Sequence, residues 1–193
     1  MGIFKLFKKE NNIYDKLLEI PCDYDGYDMV FEQGKTDPNI YNSINEVITN
    51  GQYKIITTKL KDISTNSNLE KFYDFYNEWL EELRNEGFVY YLNNERNIEE
   101  FVDAIIKMLK VNKYEVNLNK DIIIENYRNK LKELGTEDMI NYYVLIANIV
   151  ADELRKYNIE LIDLFDGFSN YDFAIIHNNN IQKLKELEER IKC

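Results

Sequence analysis

The stretch from Met139 to Ala151, MINYYVLIANIVA, is apolar around nearly the whole circumference of a helix, with only Asn141 and Asn148 interrupting it. A helix without a polar face has to be covered on all sides. The chain must therefore supply layers on more than one flank of this segment, and the residues that follow supply one. Ile159–Asp166 (IELIDLFD) and Tyr171–His177 (YDFAIIH) read as two strands joined by Gly167-Phe168-Ser169-Asn170. An amphipathic helix with Ile181, Leu184, Leu187 and Ile191 on one side closes the unit, which Thr136 opens.

The remaining layers have to come from upstream. Tyr27–Glu32 and Tyr53–Leu60 are rich in β-formers and read as strands, with a short helix expected before them at Asn12–Ile20. Between the two strands, Asp37-Pro38 is a helix start that would bury Ile40, Ile44, Val47 and Ile48 and end near Asn50-Gly51. The polar run Lys61–Asn68 reads as an internal linker, after which the helices lengthen. Leu69, Phe72, Tyr73, Tyr76, Leu80 and Leu83 form one stripe with Trp79 at its edge, and Gly87 stops that helix. Phe88–Leu92 is a short strand. Asn97 caps a helix with Ile98, Phe101, Val102, Ile105 and Leu109 inward, and Asn119 caps another with Ile124, Tyr127, Leu131 and Leu134 inward.

Strands separated by helices permit parallel pairing, whereas the final hairpin is antiparallel. The expected fold is α+β: a mixed β-sheet packed by several α-helices, ending in the helix–hairpin–helix unit. Residues 61–193 form the main domain, and residues 1–60 are an N-terminal strand and helix region that either joins it or stands apart. At 193 residues, 45% of them apolar, the chain has enough material for such a core.

Charge narrows the partners. The formal net charge is −11, and beyond Lys5, Lys8 and Lys9 the chain carries 21 basic against 35 acidic residues. Such a surface repels phosphate backbones, so nucleic acid is not an expected partner, whereas a basic protein is drawn to it. Cys22 and Cys193 make no disulfide framework, so a reducing cytoplasmic compartment is expected. No apolar run approaches the roughly 20 residues that span a bilayer. Met1–Glu10, with Ile3, Phe4, Leu6 and Phe7 among lysines, leaves a scaffold or membrane-peripheral role as one alternative.

Most chemistry-bearing motifs are missing. The chain has no GxxxxGK[ST], GxGxxG, GxSxG or HExxH, no CxxC pair, and a single histidine, His177, which leads into Asn178-Asn179-Asn180. No cofactor and no catalytic residue is expected. The suggestive group is acidic: Asp163, Asp166 and Asp172, with Glu160 and Tyr171, gather around the hairpin turn. Asp163 shares a strand face with Leu161 and Phe165, so its carboxylate has to be hydrogen-bonded or lie at an edge. Three readings follow: carboxylates bonding their own backbone, an acidic edge facing a partner through Asp163, Asp166, Tyr171 and Asp172, or a divalent-metal site in a hydrolase. Tyr90 and Tyr91 are further contact candidates.

Two segments carry a resemblance, YNEWLEELRNEGFVYYLNNERNIEEFVDAIIKML and YYVLIANIVADELRKYNIELIDLFDGFSNYDFAII. Together, over roughly residues 69–177, they resemble uncharacterised bacterial cytosolic domains. In those domains a W-x-x-x-L helix precedes a short strand, and a later helix leads into an L-x-D-x-x-x-G-x-x-x-Y hairpin. The matching positions are Trp79, Leu83, Gly87, Leu161, Asp163, Gly167 and Tyr171. Small acidic proteins of this kind act as immunity proteins beside polymorphic toxins. The resemblance implies a non-enzymatic protein that neutralises a basic toxin domain by binding it, and it identifies no active site.

Overall fold

Periodicity and punctuation together set the order of elements in the computed structural model, which describes residues 27–30, 38–54, 69–92, 97–134, 142–165 and 171–192. Strand β1 is Tyr27–Val30 and helix α1 is Pro38–Ile48. Helix α2 is Leu69–Glu86, leading into β2, Val89–Leu92. Helices α3 (Ile98–Val111), α4 (Lys120–Leu134) and α5 (Tyr142–Arg155) follow. The hairpin is β3 (Ile159–Phe165) and β4 (Tyr171–His177), and a short 3-10 turn, Asn178–Asn180, opens the last helix, α6, Ile181–Lys192. The expected helix Asn12–Ile20, the linker Lys61–Asn68, the turn at 167–170 and all but the first two residues of the expected strand Tyr53–Leu60 lie outside the described residues.

The strands form one mixed sheet in the order β1-β3-β4-β2. β1 runs parallel to β3, pairing Asp28 with Asp163, while β3–β4 and β4–β2 are antiparallel. Strands β1, β2 and β3 therefore share a direction, and β4 alone opposes them. The fold is α+β, with the helix–hairpin–helix arrangement at its C-terminal side.

Each face of the sheet carries its own apolar layer, because side chains alternate along a strand. On one face, Ile162, Leu164, Ala174, Ile176 and Val89 meet α1, α2 and α6. On the other, Ile159, Leu161, Phe173, Ile175 and Leu92 meet α3, α4 and α5. Helix α1 thus shares its core with α2 and α6. The helix that looked apolar all round, α5, buries Val144, Leu145, Ile146, Ala147, Val150, Ala151 and Leu154 between β3 and the helices α3 and α4. That burial explains its composition: each Val, Leu or Ile side chain taken from water contributes about 1.5–3 kcal/mol.

Trp79 departs from expectation. It lies not at the edge of a stripe but within the core at 2% exposure, edge-on to Tyr41 with ring centroids 6.3 Å apart. Helix α1 supplies that cover, and it lies far away in sequence. Burial in turn pushes the Tyr41 hydroxyl pKa up.

The helix ends follow a common rule. Gly87 has φ +83, with Phe88 N donating to Leu83 O, the six-to-one bond of a Schellman cap. Asn50, Lys113 and Asn158 hold the same left-handed geometry at the ends of α1, α3 and α5, with φ 49, 58 and 58. At the other end of α3, Asn97 Oδ1 accepts from Glu99 N at 2.9 Å, and for α4 Asn119 Oδ1 accepts from Ile122 N at 3.2 Å.

Candidate functional site

Strand alternation decides what the hairpin carboxylates can do. In the β3–β4 register Asp163 stands opposite Phe173, so it belongs to the face covered by α3, α4 and α5. Asp172 stands beside Ala174 on its own strand at even spacing, opposite Tyr91, and belongs to the face covered by α1, α2 and α6. The two carboxylates therefore leave the sheet on opposite sides.

Both are buried, Asp163 at 3% exposure and Asp172 at 1%. A buried ionised carboxylate is tolerated only when paired and hydrogen-bonded. For Asp172 the partner is Arg84 on α2: Nε donates to Oδ1 at 2.7 Å and Nη2 to Oδ2 at 2.6 Å, a bidentate fork. The half-buried guanidinium also lies over the Tyr91 ring, 5.1 Å from its centroid, a cation–π contact that favours the charge there. Asp163 Oδ1 accepts the backbone N–H of Asp172 at 3.2 Å. One residue thus links both carboxylates: its side chain binds α2 on one face while its amide is held from the other.

For Asp163 and Asp172 this departs from the expected acidic edge turned toward a partner. Asp163 and Asp172 point inward and are engaged within the fold, and Asp163 bonds a backbone N–H as a carboxylate on a covered face must. Tyr171 opens β4 opposite Leu92; Asp166 lies outside the described residues. The metal reading loses its geometry as well, because carboxylates on opposite faces of a sheet cannot share one ion. Among the described residues no group of three or more His, Cys, Asp or Glu is placed to hold a metal.

The other named residues resolve locally. Glu160 accepts from Arg155 Nε at 3.0 Å. His177 Nδ1 accepts from Asn179 N at 3.2 Å, capping the 3-10 turn rather than facing a substrate. Tyr90 packs its ring against Phe101, centroids 6.0 Å apart, and Tyr91 serves Arg84.

Among the outward acidic surfaces is that of α2. Over Asn77–Glu86, NEWLEELRNE, four glutamates accompany one base. That base, Arg84, is turned to the sheet, while Glu78, Glu81 and Glu86 are exposed. Glu82 accepts the Tyr53 hydroxyl at 2.6 Å, and this bond, with some burial and the charges of Glu82 and Glu86, pushes the Tyr53 pKa up to about 12. Elsewhere, a cleft of about 450 Å³ between α3 and α4 is lined by both signs of charge, including Glu99, Lys120, Asp121 and Arg128. Its rims are tied by Lys120–Asp103 at 2.7 Å and Arg128–Glu99 at 3.7 Å. Mixed charge of this kind selects no one ligand class.

Arg84 is the residue that sequence reasoning missed. Its one local signal is position: it follows Leu83 on the inner stripe and is the single base in an acidic run. No family model, curated protein or solved structure matches the chain. Among the described residues no helix is long and apolar enough to cross a membrane.

Proposed function

We propose that the chain is a non-enzymatic acidic binding protein that docks a basic protein partner, a toxin domain being the partner that its resemblance to immunity-type domains implies. One observation supports this reading above the rest. Arg84, the single cation of the second half of α2, forks onto the buried Asp172, while Glu78, Glu81 and Glu86 stand exposed on the same stretch of helix. The helix presents a net acidic surface built on a rigid element, which suits electrostatic steering of a cationic partner. The docking face therefore moves from the hairpin turn to α2.

The test is surface plasmon resonance, which reads both affinity and association rate, against the basic product of a neighbouring gene at rising NaCl. Affinity should fall steeply with salt, and Glu81→Lys with Glu86→Lys should slow association about tenfold at low ionic strength. Salt-independent binding, or an association rate untouched by the double reversal, would overturn the assignment.

A further inference from the structure

Asn50-Gly51 is the single Asn-Gly pair in the chain, and it sits at a junction between two helices. Asn50 is the left-handed residue that ends α1, with φ 49, and Gly51 follows with φ 69. Asn50 N donates to Val47 O at 3.3 Å and Gly51 N donates to Glu46 O at 2.9 Å, closing the cap. The Asn50 side chain reaches across 62 positions, where Nδ2 donates to the backbone carbonyl of Asn112 at 3.0 Å. Asn112 is wholly buried at the end of α3, so this bond ties the ends of α1 and α3 together.

Asn followed by Gly is the pair most prone to intramolecular amide hydrolysis, since glycine has no side chain to obstruct its own nitrogen. Gly51 is exposed, and among the described residues nothing beyond its own chain neighbours lies within 4 Å of where a Cβ would stand, so water reaches it. Two restraints oppose the reaction while the fold is closed. The nucleophile, Gly51 N, has its proton engaged by Glu46 O, and the leaving amide nitrogen, Asn50 Nδ2, is engaged by Asn112 O.

We propose that Asn50 is a site of spontaneous hydrolytic modification, gated by opening of the α1–α3 junction and preventing that junction from re-forming. When the cap opens, the deprotonated Gly51 nitrogen attacks Asn50 Cγ, the new C–N bond closes a five-membered succinimide, and Nδ2 departs as ammonia. Water then cleaves either ring carbonyl, leaving aspartate or isoaspartate. The net change is amide plus water to carboxylate plus ammonium, with no oxidant or reductant. The product cannot restore the tie: a carboxylate oxygen now faces the Asn112 carbonyl oxygen, acceptor against acceptor, with a negative charge at a helix C-terminus that already carries one. This site is independent of the docking face on α2.

The experiment compares the unaltered chain, native and in guanidinium chloride, at mildly alkaline pH, with peptide mapping for the mass gain and for isoaspartate. Conversion at Asn50 should run at least about tenfold slower in the folded chain, the factor that each 1.4 kcal/mol of local closing free energy confers. Asn50→Asp, the product itself, should speed amide exchange at Gly51 and lower the denaturation midpoint. Equal rates folded and unfolded would overturn the gating, and an Asn50→Asp chain with unchanged exchange and midpoint would overturn the loss of the tie. Should that variant not fold, the rate comparison on the unaltered chain decides alone.

Discussion

The two ends of the sheet are held by different physics. At the end where β2 and β3 begin, four helices stop on left-handed residues, Asn50, Gly87, Lys113 and Asn158, and their last carbonyls are satisfied by backbone bonds a few residues away. At the opposite end, where β2 and β3 finish, Asp172 is held by Arg84 and Asp163, reaching across 88 and 9 positions. The first end is closed mainly by short-range backbone bonds, with the Asn50–Asn112 bond across 62 positions as its long-range exception. The second is a single long-range network in a low-dielectric setting, where one missing group leaves a buried charge. The contrast predicts that damage will be graded at one end and severe at the other.

The severe case is Arg84→Met. Removal strips the buried Asp172 carboxylate of its fork; because Arg84 itself is one-third exposed, the cost is about 3 kcal/mol, the low end for a buried pair, and the urea midpoint should drop. Replacing both partners, Arg84→Met with Asp172→Leu, should recover most of that loss, since an apolar pair of similar volume is often neutral. A double variant as unstable as the single one would show that the pair does more than satisfy itself. At the capped end, Gly87→Ala should cost about 1–2 kcal/mol from the left-handed backbone. The contact it adds, 3.0 Å to Lys107 Cε, is relieved by the flexible lysine tail. Asn97→Ala, at the start of α3, should cost about 1 kcal/mol through loss of a cap. Lys113→Gly should raise stability by about 0.5–1 kcal/mol, less the entropy glycine adds to the unfolded chain.

The smallest effect is alkaline. The Tyr53 hydroxyl donates to Glu82 near the capped end, and its pKa is raised from 10.0 to about 12. Folding therefore favours the neutral phenol: this contribution is complete below pH 10 and is lost as pH rises through about 12. Denaturation midpoints across that window should decline less steeply in Tyr53→Phe than in wild type, the remainder coming from tyrosines such as Tyr41 and Tyr127 whose pKa values burial also raises. A decline of equal size in both would remove the tyrosine from the account.

That contrast also separates what can be read from the chain by eye. Gly87, Asn97 and Asn119 announce their caps because glycine and asparagine have intrinsic reasons to be there. Lys113 announces nothing, since lysine has no such preference and takes the left-handed geometry only because Tyr114 N must reach Leu109 O. The stripes of α3 and α5 and the two strands of the hairpin follow from periodicity alone. The constraint on Asp163 was legible from face alternation, which required a hydrogen bond for its carboxylate. Its donor was not, because pairing that amide with that carboxylate depends on the register. The pairing of Arg84 and the burial of Trp79 do not show in the sequence for one reason: their partners, Asp172 and Tyr41, come from elements brought close only by the finished sheet.

The placement of Asp163 and Asp172 on opposite faces makes the hairpin self-checking. Successive residues alternate sides, so a slip of one position between β3 and β4 would turn Asp172 away from Arg84 and into the layer of Phe101, Ile105 and Ala147. The same slip would draw the amide of Asp172 out of reach of Asp163, and a carboxylate would be stranded in hydrocarbon. An apolar hairpin has several nearly equal alignments; this one has a single alignment in which every charge finds its counterpart. Two aspartates that look from the sequence like a place for other molecules to bind are held, in the folded chain, by Arg84 and by the strand backbone, and those bonds belong to this register alone.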